Sequence, residues 1–237
     1  MWRLFKKKEE KPFVSAIIAA GGSSSRMEGQ NKLLCEIGGL PVLIHTMLAF
    51  ETCGMIDEIV LVARDDVIIE YSQLCQEFSI TKLDKVVTGG AQRAESVLRG
   101  LGEVSPDCRF ACVHDAARPL ILPQDIERVC RSAFAYNAAA AVTPVTDTIK
   151  LVSRDRIEKT VDRASLMRAQ TPQCADVQML RAAIQGALEA GETITDECSA
   201  LERMGVRPAA VVCPPSNIKI TTPEDLFAAE AILEERE

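Results

Sequence analysis

No stretch of the 237-residue chain holds the roughly 18–20 consecutive apolar residues that a membrane-spanning helix needs. The apolar runs are instead strand-sized, although 47% of residues are hydrophobic, so a soluble, cytoplasmic protein with a buried core and no membrane partner is expected. No C-x-x-C pair occurs among the nine cysteines, and their number is odd, which argues against a disulfide framework. The two that lie closest, Cys108 and Cys112, sit in "CRFACVHD", which reads as a buried strand where cysteine acts as a small apolar residue. A reducing cytosol fits that usage. The basic start, "MWRLFKKKEEKPF", is not followed by the apolar core or small-residue cleavage site of a signal peptide, so residues 1–12 are expected to form a disordered basic leader. Clustered Lys and Arg are also missing from the body. Beyond residue 11 there are 22 Lys/Arg (27 less 5) against 32 Asp/Glu (34 less 2), a balance of −10 that disfavours a nucleic-acid partner. An anionic ligand must then be met by a few placed cations.

What is present alternates. Strand-like runs at 13–19, 58–63, 84–89, 109–115, 138–145 and 208–213 are separated by helical patterns, which predicts an α/β fold with a mostly parallel central sheet and helices on both faces. In "PQDIERVCRSAFAY" the apolar residues Ile126, Val129, Cys130, Ala133 and Phe134 fall on one helical face, with Pro123 suited to the first turn. A closing helix is expected at "TTPEDL", where Thr222 can cap and Glu224 and Asp225 suit the positive end of the dipole. Residues 146–171 break the rhythm with two short β-type runs around "SRDR". They predict a projecting β-arm, which has too little apolar surface to stand alone and should pack on a second subunit. The absence of repeats leaves 13–235 as a single domain.

The stretch "AAGGSSSRMEGQNK", residues 19–32, follows the first strand. In an open α/β sheet a glycine-rich turn there lies at the carboxyl edge, where ligands bind, and successive N–H groups can form a nest for phosphate oxygens. The pattern is neither G-x-G-x-x-G nor a P-loop, since the lysine comes ten residues after Gly22 and no Ser/Thr follows it. Taken alone it is either a phosphate cradle or an ordinary polar loop.

Other segments decide between these. "AGGSSSRM" with "NK", then "GGAQRAESV" (89–97), "HDAARP" (114–119), "PVTDTIK" (144–150), "TVDR" (160–163), "QTPQ" (170–173), "TITDE" (193–197) and "NIKITTPEDL" (217–226) resemble, in order, the motifs of the 2-C-methyl-D-erythritol 4-phosphate cytidylyltransferases, which have a Rossmann-like nucleotidyltransferase fold. The resemblance spans about residues 13–235 and implies cytidylyl transfer from CTP to methylerythritol phosphate, with release of pyrophosphate, in the non-mevalonate isoprenoid pathway. It implies that Ala20, Gly21, Gly22, Ser23, Ser24 and Ser25 cradle the nucleotide, and that Arg26 and Lys32 stabilise charge on the CTP phosphates. Gly90, Ala91 and Ser96 would face the base, and Asp115 and Ala116 the ribose-phosphate side, with Asp115 as ligand to Mg²⁺ or another divalent cation. Arg118, Thr148, Arg163, Thr171 and Lys219 would hold the acceptor, Thr148 and Arg163 reaching it from the partner's arm in a homodimer and Lys219 also serving catalysis. Ala91 departs from the family's frequent Asp, so any side-chain contact there is lost. His114 is expected to support the strand end rather than titrate. Ribitol- or ribulose-5-phosphate cytidylyltransferases share the loop and chemistry and are the alternative; "HDAARP", "TVDR" and "TITDE" favour the methylerythritol phosphate reading. A nucleotide-binding regulator without turnover would not need Arg26, Lys32, Asp115, Arg163 and Lys219 together.

Overall fold

The computed structural model describes residues 11–22 and 30–236; Ser23, Ser24, Ser25, Arg26 and residues 1–10 of the expected leader lie outside them. In chain order the elements are β1 (Val14–Ala20), the short pair β2 (Glu36–Ile37) and β3 (Leu40–Pro41), α1 (Val42–Thr52), β4 (Glu58–Ala63), α2 (Ile68–Glu77), β5 (Leu83–Thr88), α3 (Arg93–Glu103) and β6 (Phe110–Asp115). They continue with α4 (Pro123–Tyr136), β7 (Ala138–Pro144), β8 (Ile149–Ser153), β9 (Arg156–Val161), β10 (Met167–Asp176), α5 (Val177–Glu189), α6 (Glu197–Arg203), β11 (Ala209–Val212) and α7 (Pro223–Glu234).

Seven strands form one sheet in the order β11-β7-β10-β6-β1-β4-β5. All neighbours pair in parallel except β10, which runs antiparallel to both β6 and β7. The strands alternate with period two between two cores, as a sheet covered on both faces must. Val14, Ala16 and Ile18 of β1 pack with α1, α2, α4 and α7, whereas Ile17 packs with α3, α5 and α6. Such near-continuous apolar runs are what made these strands legible. At Gly100 of α3 an added Cβ would stand 2.8 Å from Ile17 Cγ2 and 2.9 Å from Val62 Cγ2. Glycine there lets α3 lie close on the sheet, which brings the start of that helix to the carboxyl ends of β1 and β6.

The predicted helices form. Pro123 opens α4, which buries Ile126, Val129, Cys130 and Ala133 and ends at Asn137 in the left-handed region with φ 64°. Thr222 and Asp225 make a reciprocal capping box at α7. The turn predicted at "SRDR" joins β8 to β9, with Arg154 and Asp155 at φ 45° and 63°, the signature of a tight two-residue hairpin. This hairpin is exposed and separate from the main sheet. Residues 167–171, placed in the arm on sequence, instead begin β10 in the main sheet. Lys11, placed in the leader, reaches Asp57 with Nζ 2.5 Å from Oδ2.

Candidate active site

A cleft of about 330 Å³ opens at the carboxyl ends of β1, β5 and β6, where the parallel strands point their chain reversals. Its walls include Ala20, Gly21 and Gly22 from the first strand's end, Lys32, the 90–93 loop, Asp115 and Lys219. Residues from four distant stretches of sequence thus converge, because each stretch follows a strand of the same sheet edge.

Asp115 is the centre of charge. Its Oδ1 lies 3.1 Å from Arg93 Nε, its Oδ2 lies 2.7 Å from Lys219 Nζ, and Arg118 Nε stands 3.8 Å from Oδ2. Burial pushes the Asp115 carboxyl upward, but the Arg93 and Lys219 cations outweigh it and hold the group well below the usual carboxylate range. Arg93 in turn meets the buried Glu197 through Nη1–Oε1 at 2.7 Å and Nη2–Oε2 at 3.1 Å. Burial works against the guanidinium's charge, yet Glu197 and Asp115 prevail and keep it protonated. Neither Arg93 nor Glu197 was singled out from sequence. Their only signal was membership of "GGAQRAES" and "TITDE", and a pairing across 104 residues has no local trace.

The backbone of Asp115 is fixed by a chain of hydrogen bonds. Its N–H donates to Thr171 Oγ1 at 3.0 Å, and Thr171 Oγ1 lies 3.0 Å from His114 Nδ1, while His114 Nε2 faces the Arg118 carbonyl at 3.2 Å. A carbonyl only accepts, so Nε2 carries the proton and Nδ1 accepts from the Thr171 hydroxyl. Thr171 comes into place because β10 shifts register against β7 between Ala169 and Gln173. Asn217 donates to the Gln170 side chain at 3.1 Å and the Thr171 carbonyl at 2.9 Å, which anchors the segment that carries Lys219. Arg118 Nη1 donates to the Asn217 carbonyl at 2.8 Å.

His114 is fully buried against Phe50, with ring centroids 5.0 Å apart. Burial lowers its pKa from 6.5 to about 3, so it is a neutral strut, as expected. Because the unfolded chain binds that proton more readily, stability should fall as pH drops from about 6.5 towards 3, by at most about 1.4 kcal/mol per pH unit. Urea unfolding at pH 7, 6 and 5 should show a shallower loss in His114→Asn than in the parent. Equal slopes would contradict this reading.

The 89–92 turn is built tightly. Ser96 Oγ accepts from the Gly90 N–H at 3.0 Å and donates to the Gln92 carbonyl at 3.1 Å, and the Ala91 N–H donates to Glu95 Oε2 at 2.7 Å. A Cβ at Gly90 would come 2.3 Å from Glu95 Cβ, so the turn needs glycine there. Lys32 Nζ donates to the Ile220 carbonyl at 2.9 Å, and the Asn31 side chain bonds the buried Tyr71 hydroxyl at 2.9 Å. Those contacts join the loop's far end to α2 and to the Lys219 segment.

Among the described residues, five expected ones do not line the cleft: Arg118 stands beside Asp115, and Thr171 is buried with its hydroxyl engaged by the Asp115 N–H and His114. Ala116 packs in the core and does not line the cleft, whereas Ala117 does. Thr148 and Arg163 lie exposed beside the hairpin and outside this protomer's cleft, and Arg163 donates to the Thr146 carbonyl. All nine cysteines are free; Cys112, Cys130 and Cys174 converge within 4.8 Å of one another. Among the described residues no fourth His, Cys, Asp or Glu joins them, and buried in the apolar core they pack as small apolar groups.

A profile of the 2-C-methyl-D-erythritol 4-phosphate cytidylyltransferases matches residues 14–235. The chain is similar to proteins of that name from Halalkalibacterium halodurans, 39% identical over 94% of this chain and 98% of that protein, and from Caldanaerobacter subterraneus, 40% identical over 93% and 98%. It is similar in structure to a 4-diphosphocytidyl-2C-methyl-D-erythritol synthase from Anaerococcus prevotii, with TM-score 0.85, 29% identity and coverage of 94% and 96% of the two chains. The match across residues 14–235 and these identities show that the chain belongs to the 2-C-methyl-D-erythritol 4-phosphate cytidylyltransferase family.

Proposed function

We propose that the protein transfers a cytidylyl group from CTP to the phosphate of 2-C-methyl-D-erythritol 4-phosphate and releases pyrophosphate. The observation that carries this reading is the cleft itself, where Gly21, Gly22, Lys32, Arg93, Asp115, Lys219 and the Gly90 turn line one space. The acceptor phosphate is already an anion, so the reaction needs no general base. That suits a site whose histidine is buried, neutral and engaged at both ring nitrogens. What remains is positioning and stabilisation of developing charge. Lys32, with Arg26 from the loop, would meet the CTP phosphates, and Lys219 and Arg118 the acceptor side. In the 89–92 turn the N–H groups of Gly90 and Ala91 are taken by Ser96 and Glu95, and the Gly89 and Gln92 carbonyls by Arg99 and Ser96, so the exocyclic amine of cytosine would be met by the Gly90 or Ala91 carbonyl. Such a contact does not depend on the side chain at position 91.

A divalent cation suits the same edge. Asp115 offers a carboxylate held ionised at the cleft wall, and one protein carboxylate is enough for Mg²⁺, which takes its other ligands from phosphates and water. When bound, the ion would neutralise phosphate charge and polarise the α-phosphate. Arg93 keeps Asp115 in place, and Lys219, 2.7 Å from Oδ2, is the group positioned to exchange the carboxylate for substrate phosphate.

The acceptor's other half would come from a second copy. Thr148 and Arg163 stand by an exposed hairpin whose Leu151, Val152 and Ile157 are open to solvent, which suits an arm that packs on a partner and completes its cleft. Incubation with CTP, Mg²⁺ and each polyol phosphate separately is expected to release pyrophosphate with methylerythritol phosphate and not with ribitol or ribulose 5-phosphate. Release with ribitol phosphate alone would replace the acceptor.

A further inference from the structure

Asp115 is held by a guanidinium that is itself held. A carboxylate facing a bare guanidinium favours the two-pronged contact that uses both of its oxygens. Asp115 does not make it. Glu197 occupies both Nη groups of Arg93, at 2.7 and 3.1 Å, so Arg93 meets Asp115 through Nε alone, at 3.1 Å to Oδ1. Oδ2 is thereby left to the cleft side, where Lys219 now touches it.

Glu197 is placed firmly enough to impose this. It is the first residue of α6, 2% exposed, and the helix start is tied to β10. Gln173 donates through Nε2 to Asp196 Oδ2 at 2.9 Å and accepts at Oε1 from the Cys198 N–H at 2.9 Å. Asp196 and Ser199 close the capping box.

We infer that Glu197 is a positioning residue for the divalent-cation ligand Asp115, acting through Arg93 to keep one carboxylate oxygen open to the cation. The inference rests on the reading of Asp115 given above. If Glu197 lets go, Arg93 turns its fork onto Asp115 and covers the oxygen that the cation needs. A merely structural link between α3 and α6 would change stability and leave cation affinity alone.

The test is Mn²⁺ binding to the intact protein at saturating CTP, read by water-proton relaxation, beside thermal unfolding of each variant. Glu197→Gln removes the charge; Glu197→Asp keeps it but is one methylene too short for the two-pronged contact. Both should weaken Mn²⁺ about 10- to 100-fold, the usual size for a group that orients a metal ligand. Wild-type affinity in Glu197→Asp overturns the inference, whether Glu197→Gln is weak, which would make Glu197 a charge and not a positioner, or unchanged. Glu197→Asp also decides the matter if Glu197→Gln does not fold. Asp115→Asn separates the two layers. If it binds Mn²⁺ weakly while both Glu197 variants bind normally, the reading of Asp115 stands and the inference fails; if it binds as the parent does, Asp115 is not the ligand and both fall.

Discussion

Asp115→Asn should lower kcat/KM for pyrophosphate release by on the order of 10³-fold, about 4 kcal/mol of barrier, while the protein stays folded. Asparagine keeps the shape but removes the charge that Arg93, Lys219 and Arg118 share. Loss of one partner from a buried ionic cluster can cost several kcal/mol of stability when a charge is stranded. Here the stranding is limited. Arg93 retains its two-pronged contact with Glu197, Arg118 keeps its hydrogen bond to the Asn217 carbonyl, and Lys219, whose side chain is 40% exposed, can turn to water. The stability loss should therefore stay near 1–3 kcal/mol, the range for a hydrogen-bonding group left without its partner. Catalysis suffers more, because the oxygen that would carry the cation becomes part of a neutral amide. Steady-state kinetics with thermal unfolding separates the two. Activity within tenfold of the parent would remove Asp115 from the centre of the site.

The sheet was legible because its strands are buried on both faces. "VSAIIAA", "EIVLVA" and "FACVHD" are almost uninterrupted apolar runs, and runs of that kind need helices on both sides to cover them. The strand that sequence reading left out, β10, carries Arg168, Gln170, Thr171 and Gln173 among its ten residues. Its polar side chains look like a loop in one dimension. In three dimensions Gln170, Thr171 and Gln173 are satisfied by Asn217, His114 and Asp196, all far away in sequence. The same reason hid Arg93 and Glu197, since a guanidinium beside a glycine turn is indistinguishable from a solvated one until its carboxylate partner is placed. The expected site residues that do converge, among them Gly90, Asp115 and Lys219, sit next to strand ends or tight turns that leave a mark in the local sequence. Ala116 shows the limit of that route. One residue's difference decides whether a side chain at a strand end points to the core or to the cleft, and Ala117 is the one at the cleft.

Mixing Lys32→Ala and Arg163→Ala subunits, each expected to be nearly inactive alone, should restore about a quarter of the parent activity in a 1:1 exchange. The figure follows from the two-fold symmetry of the proposed homodimer. Random pairing gives about one half mixed dimers. In a mixed dimer the Arg163→Ala subunit keeps its own Lys32 and receives an intact Arg163 from its partner's hairpin, so one of the two clefts is whole. The other cleft lacks both groups. The geometry that motivates this is the separation within one protomer: Lys32 lines the cleft, whereas Arg163 lies exposed by the hairpin and does not. An arginine at an exposed position would ordinarily be a solvated side chain whose loss changes little. Near-complete inactivity of Arg163→Ala would already speak against that. Recovery on mixing goes further, because a residue that acted within its own subunit would leave every dimer with two broken clefts. Subunit exchange is checked with two differently tagged chains, and its success without any regain of activity would show that Arg163 does not serve the neighbouring cleft.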